Sequence, residues 1–271
     1  MGCCESGRAQ EIDSEDIIFK VEISLNLFKL SARDIDRLAH RFCTNLIITK
    51  AHFSAICKEL KLEPDSLAYE FLETFYDPLC CGYPVVRLST LGILLGSGSQ
   101  NSKLILLFKN YDIDLSNMLE QVEIRKMCDD VVSISFQHIV SFASRKCSEN
   151  IQLAIADYRT KLTSIKNTVA QYFTNIIMQD KRRISLNEFT DVFQKSELES
   201  FLTPHNLRIS SRGLLKVVFR TVEAVNIMMS EDIAVDKELE DKLCLRFKKN
   251  TKKNDKSKSL DIIPVTVSQV K

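Results

Sequence analysis

No stretch of this chain approaches the roughly eighteen consecutive apolar residues that a helix needs to cross a bilayer. Its opening, MGCCESGRAQ, lacks the apolar core of a secretory signal, so neither insertion into a membrane nor passage across one is expected, and the chain is placed in the cytosol. Net charge is nearly absent as well. Lys and Arg number 37 against 36 Asp and Glu, and a balance of +1 gives no global electrostatic case for nucleic acid as a partner. A disulfide framework is missing too, because the nine cysteines are odd in number and scattered. Cys43, Cys57 and Cys128 sit inside apolar runs, which is where reduced core thiols belong. The adjacent Cys80 and Cys81 have neither a second pair nor a His at zinc spacing. His40, His52, His138 and His205 are each isolated in sequence from an acidic or Cys partner, which leaves no triad or general base to nominate. In GSGSQNSK the Lys does not directly follow the last Gly, so no phosphate loop is set up. No enzyme is expected.

What the chain does contain is helical periodicity. With 271 residues, 45% of them hydrophobic and 27% charged, it is long enough for one large or two small domains with a real core. The segment 17–30, IIFKVEISLNLFKL, carries two patterns at once. Phe19, Val21, Ile23, Leu25 and Leu27 alternate as on a strand, while Ile18, Val21, Leu25 and Phe28 keep helical spacing. Its helical context favours helix, with strand as the alternative. Ser31 and Asp34 open ARDIDRLAHRF, whose Ile35, Leu38 and Phe42 share a face, and LIITKAHFSAICKEL resumes after a short break. The same rhythm returns in SLAYEFLETFYD, an irregular PLCCGYPVVR, and LSTLGILL; the Gly/Ser stretch at 96–102 then reads as a linker. A third unit runs from KLILLFKN to EIRKMCDDVV, with Ile124, Met127, Cys128 and Val131 on helical spacing. A long polar helix, SENIQLAIADYRTKLTSIKNTVAQYFTN, enters a fourth unit, IIMQDKRRISLNEFTDVF. Four similar helix–loop–helix units form an internal repeat, and the fold class expected is all-α.

The third loop carries the chemistry. In YDIDLSNMLEQVE, Asp112, Asp114, Ser116, Glu120 and Glu123 stand at positions 1, 3, 5, 9 and 12 of a twelve-residue window, and Met118 puts a carbonyl at position 7. Those are the oxygen positions of an EF-hand calcium loop, with Glu123 as the bidentate ligand. Position 6, where such a loop turns sharply on Gly, is Asn117. Asn is the least costly residue with a Cβ at a left-handed position; the penalty, on the order of 1 kcal/mol, weakens affinity several-fold without abolishing it. Ile113 and Leu115 stand where polar residues are usual, which keeps open the alternative that the loop is only an acidic turn between two packed helices.

On these residues the chain resembles the EF-hand calcium sensors, in particular the four-hand, often myristoylated group of calcineurin B, the neuronal calcium sensors and the plant calcineurin B-like proteins. The resemblance covers roughly residues 25–204 and is most specific in SKLILLFKNYDIDLSNMLEQVE, including the entering aromatics Phe108 and Tyr111. LSARDIDRLAHRF and RISLNEF are similar to the group's first entering and fourth exiting helices. It implies two lobes of paired EF-hands, 16–95 and 99–204, and a groove that receives an amphipathic helix of a protein target, by resemblance a phosphatase or kinase. Three loops depart from the pattern. The first puts His52 at position 12. The second has Asp77 and Gly82 at positions 1 and 6 but Leu79, Cys81 and Leu88 at 3, 5 and 12. The fourth has Ile177, Gln179 and Lys181 at 1, 3 and 5, leaving Glu188 beside Arg182 and Arg183. One Ca²⁺ site per chain is the most these loops allow. Leu119 and Ile184, both at position 8, are expected to face each other in a short strand pairing. The rivals are a calcium-insensitive EF-like scaffold with constitutive target binding and, more distantly, a small-ligand carrier.

MGCCES matches the N-myristoylation pattern at Gly2, with Ser6 as the matching hydroxyl, and Cys3 and Cys4 follow as palmitoylation candidates; the alternative is a chance match. The segment 1–15 is thus expected to be acylated and to hold the protein at the cytosolic face of a membrane. After a helical extension over 205–245, the tail 246–271 opens on RFKKNTKKNDKSK, is expected to be disordered, and either adds attraction to an anionic leaflet or serves solubility. Within the extension, Leu214, Val218, Val222, Val225 and Met229 line one face of a helix over 213–229 that either fills the groove in cis or packs independently. A single myristoyl chain holds a membrane only marginally, so Gly2→Ala is expected to release the protein into the soluble fraction, and Cys3→Ser with Cys4→Ser to weaken attachment. Fractionation of cells expressing each variant checks this; full membrane retention of the Gly2→Ala chain refutes it.

Overall fold

A computed structural model describes residues 13–213, which all lie within one compact unit and are predominantly helical. The N-terminal segment 1–12, with Gly2, Cys3 and Cys4, and the expected 213–229 helix beyond Gly213 fall outside the described residues.

The first helix, α1 (Ser14–Ser24), settles the ambiguous segment as helix up to residue 24, and a 3₁₀ turn at Leu27–Lys29 follows. Four helix–loop–helix units come next. The first is α2 (Ala32–Arg41), strand β1 (Ile47–Ile48) and α3 (Lys50–Glu59). The second is α4 (Leu67–Glu73), β2 (Tyr83–Pro84) and α5 (Val85–Leu95). The third is α6 (Gln100–Tyr111), β3 (Met118–Glu120) and α7 (Gln121–Ser133), continued through a π-helical turn at Ile134–His138 into α8 (Ile139–Arg145). The fourth is α9 (Glu149–Met178), β4 (Arg183–Ser185) and α10 (Leu186–Val192). Residues 204–213 are helical again. Hydroxyl caps start many of these helices: Ser31, Thr49, Ser66, Ser99 and Ser185 each accept a backbone N–H of the first turn, filling a donor the helix leaves unpaired.

The strands pair the units two by two. β1 and β2 are antiparallel, with Ile48 opposite Tyr83, and β3 and β4 are antiparallel, with Leu119 opposite Ile184 as their loop positions lead one to expect. All four of these side chains are buried. Gly82 has a local reason: a Cβ there would lie 2.4 Å from Ile47 Cγ2 and 2.7 Å from the Ile48 carbonyl, so only Gly lets the second loop close onto β1. Gly92 plays the same part between helices, since a Cβ would meet Ile35 Cγ2 at 2.4 Å where α5 crosses α2.

The Gly/Ser stretch at 96–102 is not an open linker. Ala32 donates to the Ser97 carbonyl at 2.9 Å and Ser97 to the Leu30 carbonyl at 2.7 Å, and α6 begins at Gln100 with Ser99 as its cap. The connection is short and pinned, and the two pairs of units touch along a polar seam. His40 Nε2 lies 3.1 Å from Asn110 Oδ1; Asn110 donates to Thr90 Oγ1 and to the Val86 carbonyl; Tyr111 donates to Asp130 Oδ2 at 3.0 Å. Asp130 also holds Arg87 and Lys126. Apolar contact flanks the seam, with Phe71 against Phe142 and His138 stacked on Phe75 at 4.6 Å.

The deepest polar group is Arg208, on the 204–213 helix and fully buried. It donates through Nε to both oxygens of Glu15 (2.9 and 3.0 Å), through Nη2 to Glu22 (2.7 Å), and through Nη1 to the Ser135 carbonyl (3.2 Å). Ser135 lies in the π turn, whose wider winding takes carbonyls out of the regular helical ladder. Glu15 also accepts from Tyr158 of α9 at 2.9 Å and from His205 at 2.8 Å, and His205 stacks on Phe19. Of the histidines read as isolated, His205 therefore finds Glu15 190 positions away, and His40 lies against Asp36 and Asn110. Cys57 and Cys128 are buried as expected and burial pushes both thiols up to about 12, whereas Cys43 is only half-buried.

Truncating Arg208 leaves two buried carboxylates without their cation, so Arg208→Ala is expected to cost about 3–5 kcal/mol, while Arg208→Met combined with Glu15→Gln and Glu22→Gln recovers a good part. Urea denaturation of the variants checks this. Burial between the halves holds His138 down at about 4. Because its folded pKa lies below the ordinary value near 6.5, the neutral ring stabilises the fold above that pH, and this contribution is lost as pH falls from about 6.5 towards 4. His138→Phe is expected to keep more of its neutral-pH stability at pH 5 than the parent does, read as the ratio of denaturation midpoints at the two pH values.

Candidate functional site

The four loops lie in two pairs, and three different means close them. In the first, Thr44 and Ile47 exchange backbone hydrogen bonds (2.9 and 3.0 Å) around Asn45 and Leu46, both at positive φ as a tight hairpin turn requires. The second closes the same way: Asp77 and Gly82 exchange bonds of 2.8 and 3.2 Å, with Cys81 at φ 53°. Helix α5 is capped at Pro84, so this loop is one residue shorter than its spacing suggests, and Arg87 rather than Leu88 occupies the place of the twelfth residue. Neither loop gathers side-chain oxygens.

In the fourth loop, α9 continues to Met178, so Ile177 is still helical and buried. Gln179 and Asp180 make the turn at positive φ. Lys181 then reaches Glu188 Oε1 at 2.8 Å, while Glu188 Oε2 accepts from the Ser185 N–H and hydroxyl in a capping box. The Lys181 ammonium foremost, with the Ser185 bonds, holds the Glu188 carboxyl down at about 2. This loop carries its own cation.

The third loop is built differently. Asp112, at the C-terminus of α6, is buried and turns its carboxylate into the loop, where Oδ2 accepts the Asn117 N–H at 3.1 Å and Oδ1 the Ser116 hydroxyl at 3.4 Å. The Ser116 hydroxyl lies 2.9 Å from the Met118 carbonyl, and Asp114 Oδ1 accepts the Ser116 N–H at 3.1 Å. That backbone bond, followed by the Ser116 side chain, holds the Asp114 carboxyl below its ordinary range. Asn117 is at φ 60°, which places the sharp turn at the sixth residue, and Leu115 is at φ 57°. Oxygens of the first, third, fifth and seventh positions are thus assembled on one loop. The other two expected ligands are engaged elsewhere. Glu123 Oε2 accepts the Glu120 N–H as part of a capping box, and Glu120 pairs with Arg183 of the fourth loop. Among the described residues no three His, Cys, Asp or Glu side chains converge as a ready metal cluster. Ile113 and Leu115 are exposed, the latter 80%, so neither supports the loop by packing.

The sequence reading missed the cross-loop cation. Arg183 was visible as a neighbour of Glu188, but only the strand register, with Glu120 opposite Arg183, turns it towards the third loop. Outside the loops, a cleft of about 410 Å³ is lined by Ile23, Leu27, Phe28, Leu94, Leu95 and Pro204, with Glu22 and Lys103 at its polar edge. Lys103 donates to the Leu94 carbonyl, and burial lowers its pKa. No protein-family model, curated protein or solved structure matches this chain.

Proposed function

We propose that the chain is a lipid-anchored adaptor of the EF-hand type, which binds a protein target at the cytosolic face of a membrane and carries at most one calcium site, in its third loop. The observation that carries this reading is the pairing of four helix–loop–helix units through short antiparallel strands, with buried residues facing across each pair at Ile48–Tyr83 and Leu119–Ile184. Its output is binding. The exposed cleft beside α1 offers an apolar surface with room for about one turn of a target helix. Deleting everything from residue 205 onward would remove Arg208 and with it the interior, so any truncation that asks whether the 213–229 helix occupies this surface has to begin after Gly213.

For calcium, Asp112, Asp114, Ser116, the Met118 carbonyl, Glu120 and Glu123 are the holding groups, and the ion would supply the positive charge that Glu120 now takes from Arg183 and the other carboxylates lack. Hard oxygens at six positions suit Ca²⁺. A second reading has an observation of its own in its favour. All four loops are closed by groups of the chain itself, including Arg183 on Glu120 and Glu123 on its helix cap, as a calcium-insensitive scaffold requires.

Calorimetry of the full chain separates the two. One site per chain is expected, abolished by Glu123→Gln and tightened several-fold by Asn117→Gly, which removes a left-handed Cβ. Arg183→Gln is also expected to tighten it, by removing a cation that competes for Glu120. Absence of heat in all four proteins establishes the scaffold reading, and a stoichiometry of two sinks the assignment of a single competent loop.

A further inference from the structure

The paired tips of the first two loops differ in chemistry from those of the third and fourth. The latter present Asp114, Asp180, Lys181 and Arg182 to solvent. The former consist of Thr44, Asn45 and Leu46 beside Pro78, Leu79, Cys80 and Cys81, with one formal charge at their base, the half-buried Asp77, whose carboxylate accepts the Leu79 N–H at 2.9 Å. Leu79 stands 95% exposed at the end of the hairpin and Leu46 45% exposed on its neighbour. Behind the tips the two loops are joined by the Val85 N–H, which donates to the Leu46 carbonyl at 2.9 Å, and by the pairing of β1 with β2. Both Leu46 and Cys81 are held at positive φ, a conformation that costs an L-residue energy, and both side chains are exposed. The Cys81 thiol is exposed and Cys80 half-exposed, and their hydrogen bonds go to backbone carbonyls: Cys80 Sγ lies 3.6 Å from Asp77 O and 3.7 Å from Gly82 O, and Cys81 Sγ 3.5 Å from Pro78 O.

We propose that this tip is a membrane-facing S-acylation site, with Cys81 and Cys80 as acceptors of a long-chain fatty acyl group and Leu79 and Leu46 as the residues that enter the lipid interface. The projecting residues carry no charge of their own, and the half-buried Asp77 carboxylate at their base is already turned to the Leu79 N–H, so entry of Leu79 into the interface desolvates little; fluid lipid needs no complementary shape to receive a lone projecting leucine. Two thiols at that depth stand where membrane-borne acyl thioesters are. In the transfer, the cysteine thiolate attacks the carbonyl carbon of a fatty acyl-coenzyme A. The new carbon–sulfur bond forms as the bond to coenzyme A breaks, and the coenzyme leaves as a thiolate that takes up the proton the cysteine lost. No oxidant or reductant enters. The second lipid attachment that stable anchoring requires is then available on the folded body as well as at Cys3 and Cys4. The inference rests on the N-terminal myristoylation proposed above, which brings the tip to a membrane.

The test uses the full-length chain with Cys3→Ser and Cys4→Ser, expressed in a eukaryotic cell. Thioester-linked fatty acid is counted by hydroxylamine-dependent mass tagging, and Gly2 is read separately with a clickable myristate analogue. One or two tags per chain are expected, lost entirely when Cys80→Ser and Cys81→Ser are added and retained when Cys43→Ser and Cys147→Ser are added instead. Leu79→Glu is expected to remove the tags while leaving both thiols and the melting temperature in place. A chain without tags overturns the proposal, as do tags that persist without Cys80 and Cys81. Myristate without tags sinks this site alone, and tags without myristate sink the N-terminal reading alone. Loss of a co-purifying protein on Leu79→Glu, with no tags at any stage, reassigns the tip to a protein partner.

Discussion

The guanidinium of Arg208 is the interaction on which the meeting of the first helix with the last described helix depends. It is wholly buried, and it binds carboxylates on the first helix, a carbonyl freed by the π turn between α7 and α8, and, through Glu15, the hydroxyl of Tyr158 on α9. A buried charge is tolerated only when its hydrogen-bonding capacity is met, and here four elements distant in sequence meet it together. Each must be in place for the others to be stable. The first helix consequently packs against α8 and α9, from the second half of the repeat, rather than standing as an appendage of the first.

A similar logic joins the two pairs of helix–loop–helix units. Their boundary carries the hydrogen-bonded run from His40 through Asn110 and Thr90 to Tyr111 and Asp130, with the stacked rings of Phe75 and His138 alongside. Polar groups at such a boundary contribute little net stability compared with apolar ones, but they admit few alternative alignments, because a shift of either half leaves donors unpaired. A short pinned connection at Ser97 acts in the same direction. The two halves of the described body are thus held in a single alignment.

The four loops show how one architecture is closed by different local means. Two are closed by backbone pairs, one by a lysine–glutamate contact, and one by an aspartate that collects the N–H and hydroxyl groups of its own turn. What they share is the strand pairing behind them, since a buried pair such as Leu119 and Ile184 braces a loop whatever its tip contains. Loop chemistry can therefore diverge, towards a tip of mixed charge in one pair and a thiol-bearing tip in the other, without disturbing the helices.

The sequence by itself determined the helices, their caps and the fourfold rhythm, because these follow from local spacing: Ser31, Thr49, Ser66, Ser99 and Ser185 mark starts that depend only on the next turn. It likewise determined the positive-φ turn at Asn117 and the facing of Leu119 and Ile184, since both follow from counting within a loop. Tertiary structure alone decided the rest. Arg208 with Glu15, His205 with the same carboxylate, and Arg183 with Glu120 are pairs separated by 63 to 193 residues, and no periodicity signals which distant charge a side chain will meet. The one-residue shortening of the second loop was equally hidden, because a cap at Pro84 rather than Val85 is set by the close approach of Gly82 to β1. Local spacing is a property of neighbours in sequence; burial, which turns a charge or a glycine into a constraint, is a property of neighbours in space.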